Sequence, residues 1–458
     1  MSSFVPIQDV IGQAPTRGTP PALDKNFIME LIITLDDRED ISQVVPVPRT
    51  SSWRVRREDF GALAYQPAAN GLVRFDDEPA LQTFVGSNQI AQFVEGQSVA
   101  NSLRAPVKLF LDITKICNEE CKHCLSSSGL SRETLPVATL RSLVDQAYDL
   151  GIFQIKLGGG EPILHPRFFE IVNYINQRGL AVSISSNGAA MTPQRVELLR
   201  ETGVKVSISI DGDEEMHNTV RGSGSYQRTL EGINRLVVAG VRPGIRMTLF
   251  NHPELNNLAS VKDVVELGNR LELAVKLRRA KPSGRAQANS LALAFPTQDY
   301  WELLDWVNAA KAQGADVDIE DLMCLTGDGE DKLFPTQFDC AAGTRSIHVD
   351  VYGAVSPCVF LGPSHTSGNI FAEPLATIWY AGHGFRQARD YTTQANSDCH
   401  SCERNKLCSG ECRALVFEAQ RILGQPLDGG GKDPCCPKEK RTYVLEPAKS
   451  GKYTPIRQ

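Results

Sequence analysis

Three cysteines sit close together at Cys117, Cys121 and Cys124, in KICNEECKHCLSSSG at Lys115–Gly129. A tetrahedral zinc ion takes four protein ligands, or three and a water. Three thiolates with one open position also suit an iron–sulfur cluster in which one iron is left for something else. A stray zinc loop, or a redox pair plus one, is the plain alternative. A second motif, LGGGEP at Leu157–Pro162, stands one β/α unit downstream. Its glycines let a ligand approach the backbone, and Glu161 suits an ammonium group. Alone it would read as a β-turn.

The other nine of the twelve cysteines lie beyond position 316. Cys340 is followed by Gly353 and Cys358. Then come Cys399, Cys402, Cys408 and Cys412 as C-x2-C-x5-C-x3-C, and later the pair Cys435-Cys436. The middle run alone would also suit zinc. Asp318, Glu320 and Asp321, just before this region, read as a solvated acidic turn.

The elements that must position these residues follow from the pattern. A chain of 458 residues is too long for one core and suggests two or three domains. Hydrophobic residues make up 41% and charged residues 22%, a globular composition. The net charge of -6 argues against a nucleic-acid partner, which needs a basic footprint. No apolar run is long enough to span a membrane, and the N-terminus lacks the basic start and apolar core of a signal peptide. A cytoplasmic location is expected. Thiols stay reduced there, so the cysteines point to metal.

Residues 1–50 read as irregular, with a strand or short helix in FIMELIIT. Residues 51–104 read as a small α+β domain, with a hairpin turning at Asn70-Gly71 and then a helical stretch to about Leu103. Arg54, Arg56 and Arg57 there read as a solvated basic face or as a lure for an acidic peptide. From 105 to 315, six strands (VKLFLDI, FQIKLGGG, AVSISSNG, KVSISIDG, GIRMTLF and AVKLRRA) alternate with amphipathic helices. Thr192-Pro193 marks a helix start, and Gly151, Gly179, Gly203 and Gly240 mark helix ends. Six such units predict a parallel sheet covered by helices, an α/β fold of the partial (β/α)6 TIM-barrel type. Sites in such sheets gather at the C-terminal ends of the strands, where the cysteine loop falls. Residues 316–445 read as a cysteine-organised domain and 446–458 as a tail.

The triple cysteine with GGEP closely resembles the radical S-adenosylmethionine (SAM) superfamily. The resemblance implies a [4Fe–4S] cluster on Cys117, Cys121 and Cys124, with SAM chelating the fourth iron. SAM cleaved by an electron from the cluster would then remove a hydrogen atom from an unactivated C–H bond. Carried over residue by residue, Gly159, Gly160 and Glu161 would hold the SAM amino group. Ser186 and Asn187 would contact SAM at the third strand, Ser209 and Asp211 would lie near the ribose, and Arg221 would take the carboxylate. General acid and base residues are not readable. The C-terminal pattern resembles the SPASM auxiliary-cluster (twitch-type) domain. It implies two more clusters, an inner one on Cys340, Cys358 and Cys412 and an outer one on Cys399, Cys402, Cys408 and Cys436, with Cys435 as the other choice. Many relatives have a further cysteine soon after the one matching Cys340; here it is missing. The inner cluster would be three-ligated, or closed by Cys324, His348 or Asp350.

HCLSSSG, KPSGR at Lys281–Arg285 and PLDGGGKDPCC are similar to the mycofactocin-maturase family. RVRREDFGALAYQPAANGLVRF is similar to the precursor-peptide recognition elements that serve it. The resemblance implies a maturase of a ribosomally made precursor peptide, with the leader bound along a strand edge of the N-terminal domain. The modification would fall at a tyrosine as a decarboxylation, crosslink or fragment excision. An electron donor such as flavodoxin or ferredoxin is implied as well. The alternatives are a sulfatase-type protein maturase, a haem-precursor oxidase and a non-catalytic cluster sensor. Val359, where sulfatase maturases usually place an Asp base, argues against the first.

Overall fold

The computed structural model describes residues 39–291, 298–320, 340–361, 365–393, 412–425, 433–434, 436, 444–447 and 453–456. FIMELIIT, Asp321, Cys324, Cys399, Cys402, Cys408 and Cys435 lie outside the described residues.

The N-terminal unit is a four-stranded sheet. Strands β1 (Trp53–Glu58), β2 (Gly61–Gln66) and β3 (Gly71–Phe75) form a meander, with Asn70 at φ 52° in the second turn. Helix α1 (Glu78–Ser87) begins at Asp77, whose carboxylate accepts from the Ala80 amide at 2.8 Å. The chain does not stay helical to Leu103. It forms β4 (Ile90–Val94), parallel to β1, in the order β3-β2-β1-β4. IAQFV alternates half-buried and exposed residues with a period of two, which suits a strand and not a helix.

The six expected strands form in order: β5 (Lys108–Ile116), β7 (Gln154–Gly159), β8 (Ala181–Ser186), β9 (Lys205–Ser209), β10 (Gly244–Leu249) and β11 (Val275–Arg279). A short β6 (Leu130–Thr134) pairs antiparallel with the far end of β5. Helices α2 (Val137–Leu150), α3 (Phe168–Gln177), α4 (Pro193–Thr202), α5 (Glu214–Arg221), α6 (Ser225–Val238) and α7 (Val261–Leu271) connect the strands. Thr192 caps α4, and Gly151 and Gly203 close α2 and α4 in the left-handed region.

The sheet runs across position 315. Strand β12 (Val317–Ile319) pairs in parallel with β11, and β13 (Ser346–Val349) pairs in parallel with β5 at the other edge, so eight parallel strands are joined. Leu109, Leu111, Ile155, Leu157 and Ile184 alternate outward into one core under the helices. Each such buried side chain contributes about 1.5–3 kcal/mol. The residues between them (Lys108, Phe110, Lys156, Ser183, Ser185, Ser209, Arg246 and Arg278) face the other way and are only half-buried. In a flat sheet β5 and β11 would stand about 24 Å apart, five intervals of about 4.8 Å. Yet Gly159 on β7, Ser185 on β8, Ser209 on β9, Arg246 on β10 and Arg278 on β11 line one cavity, so the sheet curls and this polar face lines a lumen.

Arg54 and Arg56 are not a surface lure. Both are fully buried between the N-terminal sheet and the end of α2. Arg54 donates to the Tyr148 carbonyl at 3.0 Å and to that of Ile152. Arg56 donates to the carbonyls of Gly151 at 2.8 Å and Pro106 at 2.9 Å, and pairs with buried Glu58. A helix C-terminus has unpaired carbonyls and attracts cations. These arginines therefore fasten the two units together. Arg57 pairs with Glu78.

Candidate active site

The site lies where β5 and β7 end. Strand β7 runs out into three glycines, and at the last two of them β5 leaves no room for a side chain. A Cβ on Gly159 would overlap the Thr114 carbonyl oxygen, and one on Gly160 would overlap that of Ile116. The Gly160 and Glu161 amides donate to those same oxygens at 2.7 and 2.8 Å. The glycines thus serve strand-to-strand contact first, and the ligand-facing wall is its consequence.

Cys117, Cys121 and Cys124 line a cavity of about 200 Å³ with Gly159, Gly160 and Glu161. Burial pushes the thiols of Cys117 and Cys121 well up, and the neighbouring cysteines add to it, Cys121 for Cys117 and Cys124 for Cys121. Among the described residues no three Cys, His, Asp or Glu side chains converge tightly enough to hold a single metal ion. Zinc with bonds of about 2.3 Å would draw its sulfurs together. Three thiols spread around a cavity fit a larger body, as a cluster is.

KPSGR and the serines after Cys124 hold the loop. The Arg285 amide donates to the Cys124 carbonyl at 2.9 Å, and its Nε to that of Cys121 at 2.8 Å. The Ser283 hydroxyl donates to the Leu125 carbonyl at 3.1 Å. Gly284, at φ +56°, begins the short helix α8 (Gly284–Ala288), directly against the carbonyls of Cys124 and Leu125. On the other side the Ser128 amide donates to Cys124 Sγ at 3.3 Å, and the Ser126 hydroxyl to the Gly159 carbonyl at 2.7 Å.

Glu161 is 1% exposed. Its Oε2 accepts from the Asn187 amide at 2.8 Å, while Oε1 is buried with no hydrogen-bond partner among the described residues. Burial pushes its carboxyl up to about 7 although Asn187 and Ser186 pull it down. A buried acceptor in need of a donor fits the amino group of SAM. Ser186, Asn187 and Ser209 also line the cavity. The Asn187 side chain donates to Asn118 Oδ1 at 2.6 Å, and its carbonyl accepts from Thr229 at 2.8 Å.

Asp211 is placed differently. It is fully buried, off the cavity wall, and both its oxygens are used. Oδ1 accepts from the Thr248 amide at 2.9 Å, and Oδ2 from Arg221 Nε at 2.7 Å. Burial would raise its carboxyl, but Arg221 and His123 hold it at about 2. Arg221 does reach the wall. It also meets Glu119 Oε2 at 3.3 Å and Cys121 Sγ at 3.8 Å. Asn118, Glu119 and His123 are functional neighbours that the sequence did not single out. They sit between the cysteines, where no spacing rule marks them.

In the C-terminal region, Cys340, Cys358 and Cys412 pack around Ala342, Leu361, Ala414 and Phe417. Burial pushes the Cys358 thiol up to about 12, with Cys340 and Cys412 adding to it and Lys281 opposing. Cys412 caps helix α9 (Arg413–Leu423). Its amide donates to Asp433 Oδ2 at 3.3 Å, and Asp433 forms a buried two-pronged pair with Arg279 at 2.7 and 2.8 Å. The Cys436 amide donates to the Asp433 carbonyl at 2.9 Å, which sets Cys436 beside this group. His348 and Asp350 do not offer themselves to the three cysteines. His348 bonds Asp112 and Ser356 through its two ring nitrogens, each at 3.2 Å, and Asp350 closes the turn to Tyr352 and Ala354. Glu320 is no solvated turn residue. It is clamped by Arg246 and Arg278, which hold its carboxyl at about 2 against the effect of burial.

Residues 111–267 match the radical SAM superfamily, and residues 340–403 match an iron–sulfur cluster-binding domain, SPASM. The chain belongs to the radical SAM enzymes that carry a SPASM domain, and it takes SAM, a [4Fe–4S] cluster and auxiliary iron–sulfur clusters. It is 31% identical over 362 residues to "Mycofactocin maturase MftC" of Mycobacterium tuberculosis, covering 76% of this chain and 85% of that protein. It is 29% identical over 345 residues to "AdoMet-dependent heme synthase" of Methanosarcina barkeri, covering 69% and 93%. Its fold is similar to that of Streptococcus suis SuiB bound to precursor peptide SuiA, with a TM-score of 0.63 at 17% identity over 81% of this chain and 96% of that one. No helix among the described residues is long and apolar enough to cross a membrane.

Proposed function

We propose that this chain is a peptide maturase that abstracts a hydrogen atom from a ribosomally made precursor peptide and oxidatively modifies it, with a tyrosine as the target. The observation that carries this reading is the SAM-type site joined to an N-terminal sheet in which strand β3 stands at an edge, with no further strand paired to it among the described residues. A fused recognition sheet has little use for a small metabolite; tethering raises the effective concentration of a weakly bound peptide. Relatives named as maturases, and SuiB with its precursor peptide, support it.

In this reading Cys117, Cys121 and Cys124 hold the [4Fe–4S] cluster. Cys340, Cys358 and Cys412 hold an inner auxiliary cluster, and Cys436 completes an outer one with Cys399, Cys402 and Cys408. Bound SAM supplies a 5′-deoxyadenosyl radical, and the protein supplies position and dryness. Glu161 Oε1 accepts from the SAM ammonium beside Gly159 and Gly160. Arg221, aimed by Asp211, takes the carboxylate. Ser186, Asn187 and Ser209 give the remaining polar contacts on the wall, and Asp211 acts through Arg221 and not on the ribose. The edge of β3 takes the leader by main-chain pairing. A cytoplasmic flavodoxin or ferredoxin supplies the electron.

The test is anaerobic. Reconstituted protein receives SAM, a reductant and, as candidate substrate, any short peptide found encoded beside its gene, and 5′-deoxyadenosine and the peptide mass are followed by mass spectrometry. A peptide mass change that requires Cys124 supports the reading. 5′-Deoxyadenosine with an unchanged peptide, and a changed porphyrin in a parallel run, would transfer the chain to the haem-precursor reading.

A further inference from the structure

Arg221 is a contested cation. Its Nε donates to Asp211 Oδ2 at 2.7 Å, and its Nη1 meets Glu119 Oε2 at 3.3 Å and Cys121 Sγ at 3.8 Å. Its Nη2 lies 3.4 Å from His123 Nε2. One guanidinium thus serves two buried carboxylates, and as a cluster ligand Cys121 adds a thiolate. The two acids are held differently. Asp211 stands off the cavity wall, and its other oxygen is pinned by the Thr248 amide at 2.9 Å. Glu119 is on the cavity wall beside Arg221 and Cys121, and its contact with Arg221 is the longer one. Its Oε1 is held by the Ser225 hydroxyl, which lies 3.2 Å from His217 Nε2. Asp211 alone balances the charge of Arg221. Glu119 is therefore the surplus anion, and surplus buried charge beside a thiolate is unfavourable. Its return is Nη1. The donors that Asp211 leaves, Nη1 and Nη2, are the ones a SAM carboxylate would use, and Glu119 already takes one of them.

We propose that Glu119 competes with the SAM carboxylate for Arg221 and gives way when SAM binds. This rests on the assignment of that carboxylate to Arg221. Asp211 keeps the guanidinium aimed at the cavity throughout, and Glu119 yields Nη1. One carboxylate is exchanged for another, so part of what Arg221 contributes to SAM affinity is cancelled. Glu119 takes Nη1 back as the methionine moiety leaves, which keeps the site exchangeable. Glu119 is a positioning residue in this scheme. It is carried by the cysteine loop itself, two residues from Cys117 and two from Cys121.

The experiment measures SAM dissociation constants by calorimetry on holoprotein with its clusters, for wild type, Glu119→Gln, Arg221→Lys and the double variant. SAM carries an ammonium and a sulfonium against one carboxylate. By its field alone, loss of a nearby anion would weaken binding; competition for Arg221 gives the opposite sign. Glu119→Gln should tighten SAM by at least about fivefold. Lysine keeps a charge for Asp211 but not the fork that reaches Glu119, so in the Arg221→Lys background the same change should tighten SAM by less than about twofold. Iron per chain and thermal midpoint should stay near wild type in Glu119→Gln, because Asp211 still pairs with Arg221. If the Gln variant loses iron, Glu119→Leu carries the same cycle. Loss of iron in both would make Glu119 a prop of the loop and overturn the proposal. No gain in Glu119→Gln also overturns it, as does a gain that persists with Lys at position 221. Arg221→Lys alone should weaken SAM. If it does not, the assignment of the carboxylate to Arg221 falls and the proposal with it. If it does, and Glu119→Gln brings no gain, the proposal falls alone. No peptide enters this assay, so the peptide reading is scored separately.

Discussion

Replacing Gly284 by alanine tests whether KPSGR shapes the cysteine loop. Gly284 has φ +56°, and a methyl there would lie 2.6 Å from the Leu125 carbonyl carbon and closer still to the oxygens of Leu125 and Cys124. Two penalties follow. The left-handed conformation costs an alanine about 1–2 kcal/mol. The overlap costs about 1–3 kcal/mol more, since backbone atoms cannot swing aside as a side chain would. Gly240→Ala isolates the first penalty, because Gly240 has φ +80° with nothing within 4 Å of its added Cβ. The difference between the variants should fall on the loop and weaken cluster retention roughly 5- to 150-fold. Iron and acid-labile sulfide per chain, measured after reconstitution and desalting, give the readout, with a Cys117/Cys121/Cys124→Ala protein setting the auxiliary baseline. Gly284→Ala should approach that baseline while Gly240→Ala stays near wild type. Equal iron in the two glycine variants would refute the argument that α8 seats the loop.

Other outcomes follow from the buried charges. Glu161 is raised from 4.5 to about 7 by burial, so without SAM its contribution is full below pH about 4.5 and is lost as pH rises through 7. On the order of 3 kcal/mol is involved, and Glu161→Gln should flatten the denaturant midpoint between pH 5 and 8. Asp211 is held below its usual 3.8 at about 2, so its contribution is present above pH about 4 and is lost as pH falls toward 2. Asp211→Asn should lower the guanidinium midpoint by an amount equivalent to about 3–5 kcal/mol and lose that acid dependence. Arg56→Met leaves Glu58 Oε1 and the carbonyls of Gly151 and Pro106 unpaired at a likewise buried junction, although Glu58 Oε2 keeps the Arg104 amide. Native-state trypsin cleavage between residues 95 and 107 should accelerate, and adding Glu58→Gln should restore much of the resistance.

Repeating β/α units and their punctuating residues were readable because each is local. Thr192-Pro193 starts α4 and Gly203 ends it, as their own conformational preferences require. The C-x3-C-x2-C and GGEP motifs marked the site for the same reason. What escaped depended on distant partners. Arg54 and Arg56 look like surface charges until α2 presents its carbonyls. KPSGR carried a resemblance but no role, because its contacts are to backbone oxygens more than 150 residues earlier. Glu320 looked solvated because Arg246 and Arg278 reach it only once β10, β11 and β12 lie side by side. The polar face of the lumen, with Ser185, Ser209, Arg246 and Arg278, was present as every second letter in the strands, but alternation gives a face and not its curvature.

The pairing of Ser346–Val349 with β5 has a consequence for biosynthesis. Lys108 and Ser346 are partners in register and 346 − 108 = 238 residues apart. During translation β5 acquires β6 and β7 early, but its Lys108–Leu111 half keeps an open edge until the later strand emerges. At about 5–20 residues per second that wait is roughly 10–50 s. An open edge of this kind is a template for wrong pairing. Ribosome stalling or truncation between these positions would therefore release chains prone to association through β5, with the cysteine loop already built on its end.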